Sequence, residues 1–173
     1  MVYDAYEESY YGTVGIDFCG FMHRDMELQM WDTAGQERFY SIIPAYIRNT
    51  AGVFLVFDAN DRHSFSSMRS WFQMVMRETS SDPCMVVIGN KNDTKNIMVT
   101  KEEASTFSKS IGAEYVEASA LTGEGVLCAL DKMVRLLEIR EKKISATEKT
   151  PDVSINSSDS NSDLETVYCS KCT

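Results

Sequence analysis

The residues from Trp31 to Glu37 read WDTAGQE and combine a carboxylate, a glycine and an amide directly after a predicted strand. The carboxylate of Asp32 is suited to holding Mg²⁺, usually through water. Gly35 has no side chain, so a terminal phosphate can come close to its backbone N–H. The amide of Gln36 follows at once and can orient an attacking water. This pattern indicates phosphoryl transfer, and the alternative is an ordinary Asp/Gly turn after a strand.

A second polar run, Asn90-Lys91-Asn92-Asp93, directly follows the apolar run CMVVIG. The carboxylate of Asp93 can accept both donors on the edge of guanine, a pairing that adenine does not offer. Asn90 can join adjacent loops or bond the base, and the stem of Lys91 can lie flat against the ring. By itself N-K-x-D is also consistent with a polar loop. Its position after a strand and downstream of the first motif favours guanine recognition.

A third run, Glu117-Ala118-Ser119-Ala120-Leu121, follows another predicted strand. Its small side chains would let a backbone N–H reach the carbonyl of a base. As an isolated string this run carries almost no information. Its value lies in its order along the chain, after the other two motifs.

The elements that must position these motifs alternate between apolar strands and amphipathic helices. Continuous apolar runs, GVFLVFD and CMVVIG, are typical of strands covered on both faces. Further strands are predicted at residues 13–22, 27–31 and 115–116, and helices at residues 64–78, 101–111 and 126–137. This alternation predicts a mostly parallel sheet with helices on both faces. In that class ligands bind at the carboxyl ends of the strands, where all three motifs lie.

The composition limits the possible functions. The chain has 173 residues, 43% of them hydrophobic, which is consistent with one domain and a substantial core. A net charge of −9 argues against a general nucleic-acid binder. No apolar run approaches the roughly 18–20 residues that span a bilayer, and the N-terminus lacks the order of a signal peptide. The five scattered cysteines indicate reduced thiols, with three expected in the core: Cys19, Cys84 and Cys128.

The three motifs, in this order and in these strand contexts, resemble the small GTPases of the Ras superfamily. Shorter stretches are similar to the Rab branch: VGIDF, ELQMW, RFYSII, YIR and LVFD. Residues 38–48 are most similar to the Golgi-associated Rab group. The resemblance covers about residues 4–142 and departs from the family at Leu121, Asn49 and Thr50. It implies an α/β, three-layer P-loop GTPase-like fold whose sheet is mostly parallel with one antiparallel edge strand.

The resemblance also implies roles for individual residues. Thr13 matches the switch I threonine that ligates Mg²⁺ together with Asp32, and Gln36 matches the catalytic residue of GTP hydrolysis. GTP or GDP would be held by Tyr6, Thr13, Asp32, Thr33, Ala34, Gly35, Asn90, Lys91, Asp93, Ser119, Ala120 and Leu121. An apolar triad on which Rab effectors dock is matched by Phe18, Trp31 and Tyr46, for which packing in the core is the alternative.

The phosphate-binding motif G-x-x-x-x-G-K-[ST] does not occur in this sequence, which contains no Gly-Lys pair. The family's first strand and first helix are therefore expected to be missing, which would leave two unpaired edges inside the sheet. Nucleotide binding by the chain as given is expected to be impaired. One interpretation is a truncated gene model of an ordinary Rab GTPase. The other is a nucleotide-independent binding module that presents the effector surface.

The C-terminal segment, residues 143–173, is rich in Ser, Asp, Glu and Asn and is predicted to be a disordered tail after a domain of residues 1–142. It ends in Cys169-Ser170-Lys171-Cys172-Thr173. Rab proteins commonly carry geranylgeranyl groups on two terminal cysteines, so Cys169 and Cys172 are candidate lipidation sites, although the C-x-x-C-x spacing is not the usual one.

The resemblance implies a cytoplasmic protein that binds reversibly to the cytosolic face of an endomembrane, the Golgi being one candidate. The membrane would be reached through lipid. The implied partners are Rab effectors, an exchange factor, the prenylation machinery and a GTPase-activating protein. The last would supply an arginine finger in trans, because no arginine of this chain stands out for that role. Nucleic acid is not expected as a partner.

Overall fold

A computed structural model describes residues 13, 15–33, 41, 43–147 and 164–171. The strands are β1 Ile16–His23, β2 Met26–Thr33, β3 Gly52–Asp58, β4 Cys84–Asn90, β5 Glu114–Glu117 and β6 Leu164–Lys171. The helices are α1 Ile43–Ile47, α2 Arg62–Glu78, α3 Lys101–Ser110 and α4 Val126–Thr147. The short helix α1 was not predicted from the sequence.

The six described strands form one sheet in the order β1-β2-β6-β3-β4-β5. β1 pairs with β2 in antiparallel orientation, and the other four pairings are parallel. Arg24 turns the β1–β2 hairpin with a left-handed φ of 53°. The prediction of a mostly parallel sheet with one antiparallel edge strand is therefore confirmed.

Helices cover both faces of this sheet, which gives the predicted three layers. The side chains of β3 alternate between two hydrophobic clusters because successive residues of a strand point to opposite faces. Leu55 packs with residues of α1, α2 and α3, among them Met68. Phe54 packs on the opposite face with Met133 of α4. The parallel strands are thus buried on both sides, and only their ends are left for a ligand.

Side-chain caps fix where α2 and α3 begin. The carboxylate of Asp61 accepts hydrogen bonds from the backbone N–H groups of His63 and Ser64, so α2 begins two residues before the predicted start at residue 64. At α3, the hydroxyl of Thr100 accepts from the N–H of Glu103, whose carboxylate accepts from the N–H of Thr100. These reciprocal hydrogen bonds form a capping box, which fixes the start of α3.

Within the predicted disordered tail, the structure corrects the prediction for residues 143–147 and 164–171. α4 continues to Thr147, and residues 164–171 form β6 in the middle of the sheet. The expectation of two unpaired edges inside the sheet is corrected by the same strand, because β6 pairs with both β2 and β3. A buried strand edge must find partners for its N–H and C=O groups, and the sequence TVY within this segment favours a strand. Residues 148–163 lie outside the described residues.

One smaller prediction was also wrong. Cys128, expected in the core, is exposed on α4. His23, which the sequence analysis did not select, lies at the end of β1 with its Nε2 only 2.8 Å from an Asp131 carboxylate oxygen. Arg24 reaches the same carboxylate at 3.0 Å, so the β1–β2 hairpin is tied to α4.

Candidate functional site

The carboxyl ends of the parallel strands bring the predicted motifs to one edge of the sheet. β2 ends at Asp32 and Thr33, β3 ends at Asp58, and β4 ends at Asn90. Ser119 follows β5 by two residues and is buried. Because all these strands run in the same direction, the three motifs of the sequence emerge on the same side of the molecule.

The two residues expected to ligate Mg²⁺ are in direct contact. The hydroxyl of Thr13 donates a hydrogen bond to Oδ2 of Asp32 at 3.0 Å. The neighbouring Thr33 is buried at the end of β2. A hydroxyl and a carboxylate side by side are hard oxygen donors, so the described residues fit the chemistry of Mg²⁺. The other expected members of this part of the site lie outside the described residues: Tyr6, Ala34, Gly35 and Gln36.

The second and third motifs are joined by two hydrogen bonds. The hydroxyl of Ser119 donates to Oδ1 of Asp93 at 2.5 Å. The backbone N–H of Ala120 donates to Oδ1 of Asn90 at 3.0 Å. Asn90 therefore joins adjacent loops, one of the two roles that the sequence left open. The same bond satisfies the backbone N–H of Ala120 within the protein.

The loop after β5 is organised around the side chain of Ser119. Its hydroxyl oxygen also accepts a hydrogen bond from the N–H of Thr122 at 3.1 Å. Four residues beyond Thr122, the chain enters α4 after Gly125, which has a left-handed φ of 73°. A Cβ at Gly125 would lie only 2.0 Å from the carbonyl oxygen of Glu117. Glycine is therefore required where this loop passes the end of β5. Leu121, between these residues, is exposed.

Asp58 is part of the site although the sequence analysis did not select it. Its Oδ2 lies 2.6 Å from Nζ of Lys91, and its Oδ1 accepts from the backbone and side chain of Asn60 at 2.8 and 3.0 Å. Burial tends to raise the pKa of the Asp58 carboxyl, but the hydrogen bonds from Lys91 and Asn60 outweigh it and hold this pKa below its usual value. An acidic residue at the end of the GVFLVFD strand was the sequence signal that could have identified it.

This ion pair fixes the start of the loop that follows β4. Lys91 has a left-handed φ of 62°, and its carbonyl oxygen accepts from the side-chain amide of Asn60 at 3.2 Å. Thr94 donates to the carbonyl of Asn60's side chain, so the loop is held at both ends. The conformation of the Asn90–Asp93 segment thus depends on β3 as well as on β4.

A cavity of about 320 Å³ lies between the end of β5 and α4. Its lining includes Tyr115, Ser119 and Cys128, but not Asn90, Lys91 or Asp93. Burial, with smaller effects from nearby carboxylates, raises the pKa of Tyr115 to about 12, so its phenol is neutral at physiological pH. Of the residues predicted to bind the base, Ser119 therefore borders the cavity, whereas Asn90, Lys91 and Asp93 lie outside it.

Residues 1–139 match the Ras family. The chain belongs to this family. Relatives in three organisms are of the Rab, Ypt and Sec4 type. The chain is 31% identical to Ras-related protein SEC4 of Saccharomyces cerevisiae over 173 residues, which span 94% of this chain and 79% of that protein. It is 36% identical to GTP-binding protein ypt2 of Schizosaccharomyces pombe over 148 residues, 83% of this chain and 73% of the relative. It is 42% identical to Ras-related protein Rab-4 of Dictyostelium discoideum over 119 residues, 66% of this chain and 58% of the relative.

Membership in the Ras family, with Rab-type relatives, implies a guanine nucleotide as ligand. It also implies effectors, exchange factors, GTPase-activating proteins and the prenylation machinery as general classes of partner. Among the described helices, none combines the length and apolar character that crossing a membrane requires.

In this Rab-type chain the predicted effector triad forms a row of rings. The centroids of Phe18 and Trp31 are 4.6 Å apart, and those of Trp31 and Tyr46 are 5.1 Å apart. Phe18 is 48% exposed and Tyr46 is 39% exposed, whereas Trp31 also packs against the core. The exposure of Phe18 and Tyr46 favours a docking surface for effectors. Trp31 is consistent with both a docking surface and packing in the core.

The two candidate lipidation sites of this Rab-type chain differ in what is described. Cys169 lies within β6, where its backbone is in register with Asp32 of β2 and Phe54 of β3. Cys172 lies outside the described residues.

Proposed function

We propose that this chain is a guanine-nucleotide switch of the Rab type that acts in membrane traffic and hydrolyses GTP to GDP and phosphate. The observation that carries the proposal is the pair of hydrogen bonds that join Asp93 to Ser119 and Asn90 to Ala120. They join two separate loops at the edge of the sheet, and this supports a shared role of the two loops in binding a purine base. The name of the relative ypt2, a GTP-binding protein, supports the same ligand.

Base selection would come from the carboxylate of Asp93. One of its oxygens is engaged by Ser119, which fixes the plane of the carboxylate. An acceptor-only group in a fixed orientation pairs with guanine, which presents two donors on one edge, and not with adenine. The stem of Lys91, with its ammonium group held by Asp58, would lie against the ring. Tyr6, Ala120 and Leu121 would complete the base site.

Thr13 and Asp32 would hold Mg²⁺ through their oxygens. When bound, this ion would supply positive charge that neutralises the phosphate oxygens and stabilises the charge that develops during hydrolysis. We propose that Gln36 orients the attacking water, that Gly35 donates its N–H to the terminal phosphate, and that Thr33 and Ala34 connect these groups to β2. Because Thr13 and Asp32 come from different segments, a ligand that both residues bind would couple the two segments, as in a switch.

The affinity of the chain as given is a separate part of the proposal. Its sequence lacks the motif G-x-x-x-x-G-K-[ST], whose N–H groups and lysine would bind the phosphates. Each charge-assisted hydrogen bond of that kind is worth about 1.5–3 kcal/mol. We therefore propose that this chain binds GDP more weakly than the same chain preceded by a strand and that motif, by roughly tenfold for every 1.4 kcal/mol lost.

Calorimetric titration with GDP and with ADP, each with Mg²⁺, tests both parts of the proposal. The chain as given and the chain with the motif restored in front of it are compared. We expect the restored chain to bind GDP with a clear preference over ADP and the chain as given to bind GDP weakly. Equal binding of ADP and GDP by the restored chain would refute guanine recognition. Tight GDP binding by the chain as given would refute the proposed impairment.

A nucleotide-independent binding module is the second candidate function, favoured by the row of Phe18, Trp31 and Tyr46. The row is built on β1, β2 and α1. Binding of a Rab effector is measured with and without GTP, using Tyr46→Ala and, as a control, Met22→Ala at an exposed position outside the row. Binding that is independent of GTP but lost in Tyr46→Ala supports this candidate. Binding that requires GTP supports the switch.

We also propose that the protein acts in the cytoplasm and on the cytosolic face of an endomembrane, with the Golgi as one candidate. Lipid groups on Cys169 and Cys172 would attach it, since two chains anchor stably where one does so marginally. Membrane fractionation of the wild-type chain against the double variant Cys169→Ser/Cys172→Ser tests this. Equal membrane binding by the two proteins would contradict lipid attachment at these residues.

A further inference from the structure

The central strand of the sheet is also the last described element of the chain. β6 lies between β2 and β3, and no other described strand connects these two. Residues 27–33 of β2 are in register with residues 164–170, and residues 52–56 of β3 are in register with residues 167–171. With strands spaced 4.7–4.9 Å apart, β2 and β3 are separated by roughly 9.5 Å. They therefore do not pair with each other.

Both edges that face β6 lie in the interior. Val167 is fully buried and belongs to the hydrophobic cluster that includes Met30 of β2, Phe54 of β3 and Met133 of α4. Taken without β6, the parallel edges of β2 and β3 would present backbone N–H and C=O groups without partners beneath α4. Burying backbone N–H and C=O groups without hydrogen-bond partners costs free energy. An extended peptide between β2 and β3 supplies those partners.

We propose that the gap between β2 and β3 is a strand-binding slot and that residues 164–171 of the same chain are its ligand. Binding in the slot withholds Cys169 from any enzyme that needs the end of the chain as an extended peptide. The backbone of Cys169 lies between Asp32 and Phe54 in the sheet, and it cannot pair there and in an enzyme's cleft at the same time. The withholding of Cys169 matters only if the proposed lipid attachment is right, whereas occupancy of the slot by residues 164–171 does not depend on it.

Hydrogen exchange of the full chain tests occupancy without reference to lipid or nucleotide. We expect slow exchange in peptides from β2, β3 and β6 of the wild-type protein. Proline at Tyr168, which is paired with Trp31 and Val53, removes an N–H from the middle of the ladder. In Tyr168→Pro, exchange in all three strands should accelerate by about tenfold or more because the strand is released. Ser158→Pro, between α4 and β6, is the control and should leave the exchange rates unchanged.

A rescue experiment keeps the test valid if Tyr168→Pro unfolds beyond these strands. A synthetic peptide of residues 164–171, added in excess under reducing conditions, should restore slow exchange in β2 and β3 of the variant. Failure of the peptide to protect either strand overturns the slot. If the backbone amides of β6 in the wild-type chain exchange as fast as those of an unfolded peptide, the proposed slot is refuted without any variant. A native mass spectrum that contains only dimers would overturn the assignment of the ligand to the same chain.

Discussion

The hydroxyl of Thr13 donates to the carboxylate of Asp32 across 3.0 Å, although 19 positions separate the two residues in the sequence. Thr13 precedes β1 and Asp32 is the next-to-last residue of β2, so the β1–β2 hairpin brings them together. The side-by-side oxygens are the described part of the proposed Mg²⁺ site. Their hydrogen bond also holds the entrance of β1 against the end of β2.

Thr13→Ala is expected to weaken the Mg²⁺ dependence of nucleotide binding. Removal of the hydroxyl takes away one oxygen ligand and the hydrogen bond to Asp32, which is worth about 1.5–3 kcal/mol for a charged acceptor. Thr13→Ser keeps the hydroxyl and is the matched control. The measurement is GDP affinity as a function of Mg²⁺ concentration, in the chain with the phosphate motif restored. Identical Mg²⁺ dependence in the alanine and serine variants would argue against a ligand role.

Ser119→Ala is expected to reduce the preference for GDP over ADP. The substitution removes the donor that orients Asp93 and the acceptor that holds the N–H of Thr122. Loss of a buried hydrogen-bond partner costs about 1–3 kcal/mol, or roughly tenfold in affinity for every 1.4 kcal/mol. The control is Ser66→Ala on the exposed face of α2, where the serine only donates to the carbonyl of Arg62. A preference that is unchanged in Ser119→Ala would show that Asp93 does not depend on this contact.

Gly125→Ala is expected to destabilise the protein by more than Gly123→Ala. Both glycines have left-handed φ angles, 73° and 79°, so both substitutions carry the backbone strain of about 1–3 kcal/mol. Only at Gly125 does the new Cβ meet a backbone atom, 2.0 Å from the carbonyl of Glu117, while nothing lies within 4 Å of it at Gly123. Urea unfolding of both variants measures the difference. Equal losses would mean that the end of β5 moves aside without cost.

Acid is expected to destabilise the fold through Asp58. The pKa of its carboxyl is lowered in the folded state, so the stabilisation is present above the unfolded pKa of about 3.9 and is lost as pH falls through the lower folded value. Asp58→Asn should therefore flatten the decline in stability below about pH 4. The measurement is the free energy of unfolding from pH 7 down to the acid transition.

The control for this pH effect is Asp82→Asn, at an exposed position before β4. It removes the same charge and leaves the contact between Asp58 and Lys91 intact. If Asp58→Asn and Asp82→Asn show the same decline with pH, the ion pair with Lys91 does not contribute to acid stability.

Local signals predicted the elements around the site. The apolar runs that became β3 and β4 are long and uninterrupted, and the capping box at Thr100 is complete within four residues. The three motifs follow their strands, as the parallel topology requires. Each of these features depends on residues that are close in the sequence, which is why pattern and structure agree.

Contacts between distant residues could not be predicted in the same way. The pair of Asp58 and Lys91 joins the ends of two strands, and only the register of β3 with β4 brings them together. β6 is a stronger example, because its polar surroundings in the sequence indicate a tail. Its strand character comes from the buried edges of β2 and β3 that it satisfies, and those edges are more than 100 residues away in the sequence.

The position of β6 has a consequence for biosynthesis. Ribosomes deliver chains from the N-terminus at about 5–20 residues per second, so β2 and β3 emerge well before the strand that joins them. Until Lys171 has been translated, the edges of β2 and β3 that face β6 have no partner strand, and they can pair with neighbouring chains. Closure of the sheet therefore has to wait for delivery of β6, and that interval is when a chaperone would be needed.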